Sequence, residues 1–300
     1  MNSKRLRSIT TTAFFMAVCS NLYGQQDNVI ELEDLVVVGE YLQSNQVNAL
    51  KTPTPINEVP QSLVILTSDY MSLQDMTGMA DIADYTPGID AGQGEGHRDD
   101  ILFRGVKSTA DFFVDGVRDD VQYFRPLYNI EQVEVLKGAN ALFFGRGGTG
   151  GLINRVTKKA IVGEEFTNYS LSLDDLGETY AGLDTNLSLG LNGAFRMNAY
   201  IEDLENHRDF YFGDNKGINP TFSFDLSETT NVNISYEHLD HKRFIDRGIP
   251  SASGVPVKAL ADITFGDKDE NYSALDANIL SLTVDQQLDD ETKLRFRFTD

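Results

Sequence analysis

From Phe166 onward apolar and polar residues alternate with a period of two. Tyr169, Leu171 and Leu173 interleave with Asn168, Ser170, Ser172 and Asp174, and Leu183, Leu187, Leu189 and Leu191 sit opposite Asp184, Asn186 and Ser188. The rhythm returns in Phe195, Met197, Ala199 and Ile201; in Ile218, Phe222, Phe224 and Leu226; and in Val232, Ile234 and Tyr236. It closes with Leu280, Leu282 and Val284 and with Leu294, Phe296 and Phe298. Successive side chains of a strand point to opposite faces, so these are seven candidate strands with one apolar and one polar face each. Their connections differ in length. Those at 192–193, 227–230 and 289–292 are tight, whereas 203–217 and 243–277 are long. Tight turns on one side and long loops on the other are how outer-membrane barrels are built, although 174–178, on the long side, is short. A soluble antiparallel sandwich also alternates, so alternation alone leaves both architectures open.

Between residues 62 and 159 the pattern is short and mixed. Leu63-Val64-Ile65-Leu66 reads as a strand, 75–85 as a helix, Pro87-Gly88 as a turn and Ile101-Leu102-Phe103 as a strand. Phe112-Phe113-Val114 before Asp115-Gly116, and Val133-Glu134-Val135-Leu136 before Lys137-Gly138, repeat a strand-then-turn grammar. The expectation is a small α+β unit. Upstream, 27–39 is acidic and ends in the β-prone run Leu35-Val36-Val37-Val38, followed by a polar, Pro-punctuated stretch at 40–60. Such a run either opens the fold or adds as an edge strand to a partner.

Charge and composition narrow the function. Against 25 basic residues stand 46 acidic ones, a net charge of −21 that repels nucleic acid and anionic head groups. Downstream of the N-terminus no apolar run is long enough for a helical membrane span, which leaves a strand-built one open. Lys4, Arg5 and Arg7, the apolar stretch 13–19 and Gly24 together read as a secretory signal. The single cysteine, Cys19, lies within it, so disulfide frameworks and thiol catalysis are not expected.

Gly145-Arg146-Gly147-Gly148-Thr149-Gly150 spells a dinucleotide fingerprint, but Leu152-Ile153-Asn154 is a poor helix opening for a pyrophosphate. His238 and His241 would face opposite sides of a strand, and Asp267, Asp269 and Asn271 begin like a calcium loop but meet Tyr272 where its glycine should stand. No spacing argues catalysis, and no metal site or resident cofactor is expected.

The stretch Asn129-Ile130-Glu131-Gln132-Val133-Glu134-Val135-Leu136-Lys137-Gly138, followed by Phe144-Gly145-Arg146, Gly150-Gly151 and Asn154-Arg155-Val156-Thr157, closely resembles the plug of TonB-dependent siderophore receptors. Glu58-Val59-Pro60-Gln61-Ser62, Tyr85-Thr86-Pro87-Gly88, Phe103-Arg104-Gly105 and Val114-Asp115-Gly116 fall in the family's order as well. The resemblance covers most of 34–159. It implies an α+β plug domain followed by antiparallel transmembrane β-barrel strands, with the barrel incomplete in this chain: a 22-stranded transporter needs about fifteen more strands. The expected organisation is a signal peptide at 1–24, a periplasmic segment at 25–52, the plug at 53–160 and the first strands of the barrel at 161–300.

The implied function is import of ferric siderophores across the outer membrane by a monomer embedded in its lipid. Energy would come from TonB and its inner-membrane complex, docked on a box formed by Asp34, Leu35, Val36, Val37, Val38 and Gly39. The plug's upper loops would bind the ligand, and anionic, oxygen-rich ferric siderophores suit cations and aromatics there. Gln93, His97, Arg98, Lys107, Tyr123, Phe124 and Arg125 are the expected contacts. Arg104 and Arg146 would be enclosed by the wall and paired with its inward-facing acids. A receptor for cobalamin, haem or a glycan, or a secreted β-sandwich binding protein, is the alternative.

Overall fold

The computed structural model describes residues 46–47, 54–55, 58–59, 61–92, 94–108, 111–138, 150–289 and 292–300. The signal region, the box at 34–39, Gln93 and Arg146 lie outside the described residues. Two short strands, β1 (Gln46–Val47) and β2 (Thr54–Pro55), pair antiparallel. Then come β3 (Ser62–Thr67), α1 (Ser68–Leu73), α2 (Met79–Asp84), β4 (Ile89–Ala91), β5 (Ile101–Phe103), β6 (Val106–Ser108), β7 (Phe112–Val114), β8 (Val117–Arg118), β9 (Ile130–Lys137) and β10 (Gly151–Thr157).

The expected helix at 75–85 is shortened to α2, and a separate helix, α1, precedes it; Asp75, with a positive φ of 53°, lies in the turn between them. Asp81 then starts α2 by accepting the N–H groups of Thr77 and Gly78, each at 2.9 Å.

Five strands form the plug sheet in the order β3-β9-β10-β7-β8, with β10 and β7 parallel and the other pairs antiparallel. A hairpin sheet, β4-β5-β6, lies beside it. β9 reads as a nearly continuous apolar run because both of its faces are covered. Val133, Val135 and Ile130 pack with Met79, Ile82 and Phe103 on the helix side, and Leu136 joins Leu152 and Phe113 on the other. The glycine pair in the motif has a steric cause. A Cβ on Gly151 would come within 2.5 Å of the Phe103 ring and 2.6 Å of the Leu136 carbonyl.

The motif's polar residues staple the plug. Asn154 is fully buried, donates to Glu134 at 2.9 Å and accepts the Gly116 N–H at 2.8 Å. Thr157 donates through Oγ1 to Asp115 at 2.6 Å and through its backbone N–H at 3.1 Å. The distant Val-Asp-Gly and Asn-x-Val-Thr segments are therefore two halves of one hydrogen-bonded turn.

The wall comprises β11 (Phe166–Leu173), β12 (Thr179–Ser188), β13 (Gly193–Leu204), β14 (Gly213–Ser227), β15 (Thr230–Phe244), β18 (Tyr272–Gln287) and β19 (Lys293–Thr299), all antiparallel neighbours in chain order. A small hairpin, β16 (Ser251–Ala252) with β17 (Val255–Pro256), interrupts the last long connection. The strands run further than alternation suggested, so the long connections shrink to 205–212 and 245–271. Beyond the apolar stretch the ladder continues through polar pairs such as Lys216 with Asp240, which carry no alternation signal.

Tyr169, Leu171 and Leu173 are about three-quarters exposed on one face, together with Phe222, Leu280 and Phe296. Among the described residues no second sheet covers them, which removes the sandwich reading. The plug contacts the opposite, polar face. No described helix is long and apolar enough to cross a membrane.

Candidate functional site

Plug and wall are joined by charge and hydrogen bonds. Lys158 reaches Asp184 at 2.9 Å. Arg196 binds Asp184 with two bonds of 2.7 Å and also reaches Glu131 and the Lys159 carbonyl. Tyr128 and Asn129 both donate to Glu237, at 3.0 and 2.9 Å. Arg297 binds Asp115 through its carboxylate at 3.4 Å and through its carbonyl. Ion pairs across this boundary are carried by Lys158 and by arginines of the wall. Arg104 instead sits exposed at the β5–β6 turn with a φ of 50°, and among the described residues no ion pair reaches it. A turn position directs its side chain away from the sheet.

Connections 174–178, 205–212 and 245–271 lie at one end of the wall. The plug segments 94–99 and 119–126 face that end. Gly96 lies against Ile245 and the Asp246 carbonyl, so closely that a Cβ on Gly96 would come within 2.5 Å of that oxygen. Its φ of 81° independently favours glycine. Phe124 lies under the Arg243 guanidinium, 3.8 Å from the ring centroid, while Arg243 also donates to the Tyr211 hydroxyl at 2.7 Å. The two long connections are bonded to each other. Arg208 pairs with Asp246 at 3.2 Å, and the Asp209 N–H donates to the Asp262 carbonyl at 3.0 Å.

Beneath this rim lies a cavity of about 680 Å³ between α1, α2, the plug loops and the wall. Arg98, Phe124, Tyr128, Tyr200, His241 and Arg243 are among its lining residues. Arg98 is almost wholly buried, pairs with Asp100 at 3.6 Å and leaves its Nε without a partner. Lys107 reaches the same Asp100 at 2.6 Å from a half-exposed position. His97 is half-buried.

Arg125 and Tyr123 are differently placed. Arg125 is 3% exposed, and its five N–H groups go to Asp99, Asp119 and the carbonyls of Asp119, Val121 and Tyr123. Its guanidinium stacks on Phe112 at 3.9 Å and on Tyr123 at 4.7 Å. An anionic ligand would find no donor left on it. Tyr123 donates to Asp119 and accepts from Arg155, each at 3.1 Å, and burial pushes its phenol up to about 12. Burial disfavours charge on Arg155 too, but Tyr123 and Asp119 outweigh it and hold that guanidinium above its ordinary value. These residues form a rigid ionic knot under the loop.

His241 points inward to the Tyr200 hydroxyl at 2.5 Å, whereas His238 points outward to Asn278. Asp267 and Asn271 bond to backbone groups of their own turn. Among the described residues no cluster suits a metal ion. Arg243 gave no signal in the sequence, because only strand register brings it to the site.

The family model described as the TonB-dependent Receptor Plug Domain matches residues 55–152, from before β3 to the start of β10. Residues 55–152 are thus the plug domain of a TonB-dependent receptor. Over 243 residues it is 34% identical to the probable TonB-dependent receptor BfrD of Bordetella pertussis, covering 76% of the chain and 32% of that protein. It is 27% identical over 297 residues to the probable TonB-dependent siderophore receptor PiuA of Acinetobacter baumannii, covering 95% of the chain and 39% of the relative. The crystal structure of that PiuA superposes with a TM-score of 0.77 at 25% identity, over 85% of this chain and 38% of PiuA. The closed form of the ferric-catecholate import receptor Fiu from E. coli K12 gives 0.76 at 23% identity, with 85% and 38% covered, and speaks for the fold alone. This TonB-dependent receptor chain spans about a third of the length of the curated relatives it matches.

Proposed function

We propose that the chain is the plug and first wall strands of an outer-membrane receptor that binds ferric siderophores and imports them with energy delivered by TonB. It binds and transports, and catalyses nothing. The observation that carries this reading is the plug seated on the polar face of a sheet whose apolar face is turned outward, where lipid would solvate it. The siderophore part rests on relatives named for such ligands.

In this reading His97, Arg98, Lys107 and Phe124, with Gln93 in the same segment and Arg243 from the wall, face the ligand. Tyr123 and Arg125 hold the loop that presents them. Asp34, Leu35, Val36, Val37, Val38 and Gly39 form the strand that TonB takes up from the periplasm. Ligand binding outside and strand release inside are then two readouts of one order–disorder equilibrium.

Two measurements test this. Fluorescence quenching across a panel of ferric siderophores should find one that binds saturably. Binding of haem, cobalamin or a glycan in their place would move the receptor to another ligand class. Val37→Pro removes a backbone donor needed for strand addition, so it should abolish uptake and leave ligand affinity intact. Uptake at the wild-type rate would show that the box lies elsewhere.

A further inference from the structure

One end of the plug–wall cavity is rich in acids, with Arg243 the nearby cation. Asp75, in the turn after α1, and Asp81, on α2, line it from the plug, with Glu178 and Glu202 from the wall. None of the four forms an ion pair among the described residues. Their bonds are short-range and neutral: Ser172 donates to Asp75 at 3.2 Å, and Asn215 donates to Glu202 at 2.7 Å. Burial, and then Glu202, Asp174 and Asp81, push the Glu178 carboxyl up to about 7, with Arg243 offsetting part of the effect. At the other end of the cavity Arg98, Arg125 and Lys158 are all matched by aspartates.

A second, independent observation concerns the amide of Asn215. Only 5% of this residue is exposed; its Nδ2 is used on Glu202, and its Oδ1 has no partner. A buried carbonyl oxygen without a donor is unfavourable by about 1–3 kcal/mol, so its position calls for an N–H or O–H. Tyr200 stacks with Tyr180 at 6.0 Å and with Tyr128 at 4.6 Å, which adds electron-rich ring faces to the same space. Acceptors and π-faces therefore dominate this end.

The acids do not close on one point as metal ligands do; among the described residues no three of them form such a group. Carboxylates spread over a cavity of about 680 Å³, a lone amide oxygen and aromatic faces match an elongated molecule. We propose that this end of the cavity binds an organic polycation with primary ammonium groups, one seated between Glu202 and Asn215 Oδ1 and another toward Asp75 and Asp81. Bound there, it would tie α2 of the plug to β13 and β14 of the wall. The site shares its cavity with the ligand contacts proposed above but uses other side chains, and it does not depend on the ligand being a siderophore.

Calorimetric titration of the receptor in detergent micelles with putrescine and with spermidine tests this. Saturable binding is expected, weakened by about tenfold or more in Glu202→Gln and in Asn215→Leu, as loss of a charge-assisted hydrogen bond implies. Glu178→Gln, in a surface connection, should weaken it as well and carries the test if Glu202→Gln lowers the melting temperature. The control Asp269→Asn, in the exposed connection 245–271, should leave binding unchanged. Absence of binding by both amines, unchanged affinity in Glu202→Gln and Glu178→Gln, or calcium binding that depends on these same side chains in place of amine binding would each overturn the proposal.

Discussion

The plug sheet and the wall sheet obey the same pairing rules with opposite sidedness. In the plug, Val133, Val135, Leu136, Leu152 and Ile153 are fully buried, and the polar groups among them, such as Glu134 and Asn154, are bonded to one another. In the wall, Asn186, Asn198, Asn219 and Thr221 are buried on the inner face while Tyr169, Leu171 and Leu173 stand exposed outside. An apolar side chain seeks whatever is least like water. For the plug that is its own interior; for the wall it is the bilayer. The difference teaches that burial measured on the protein alone inverts its meaning in a barrel, where exposed leucine marks the stable face.

The largest expected effect is on the plug's ionic knot. Arg125→Met leaves Asp99 enclosed without its cation and Asp119 with Arg155 alone, which should destabilise the plug by about 3–5 kcal/mol in a denaturant titration. Wild-type stability combined with lost ligand affinity would instead put Arg125 in contact with ligand and break the distinction drawn between knot and site. Next comes the wall's outer face. Phe222→Lys, which breaks contact with the Phe195 ring at 5.0 Å, should cost about 2–4 kcal/mol for insertion at the bilayer midplane. Insertion into lipid vesicles with no loss would mean that this face does not meet lipid. Smallest is Lys107→Ala. Its ammonium is half exposed, so no more than about 1 kcal/mol of stability should go, checked by thermal melting. A larger loss would make the Lys107–Asp100 pair a structural staple rather than a pair that a ligand can take over.

Much of this was legible in the sequence, for physical reasons. A strand that separates lipid from a polar interior must alternate, so the seven wall strands announce themselves. The plug motifs are legible because they are stapled: Asn154 and Thr157 cannot change without unfastening the turn at Asp115 and Gly116. Strand ends were not legible, since above the apolar band both faces are polar, as at Asp214, Lys216, Asp240 and Lys242. The break between α1 and α2 was hidden because Asp75 is compatible with a helix and only its φ declares otherwise. The commitment of Arg125 was invisible for a different reason. A cation in a loop reads the same whether its acceptors are in a ligand or, like Asp99, 26 residues away in the chain.

The contact at Gly96 has a mechanical consequence. Because Arg208 fastens one long connection to the other at Asp246, and Gly96 rests against that same residue, the rim behaves as a collar with the plug's apex as its bearing. The clearance of that bearing is set by one absent methyl group. A displacement of the apex by a fraction of an ångström presses first on a backbone carbonyl, a group that cannot rotate away as a side chain would. On the proposed function, a shift of the plug's apex would reach the rim directly through this contact.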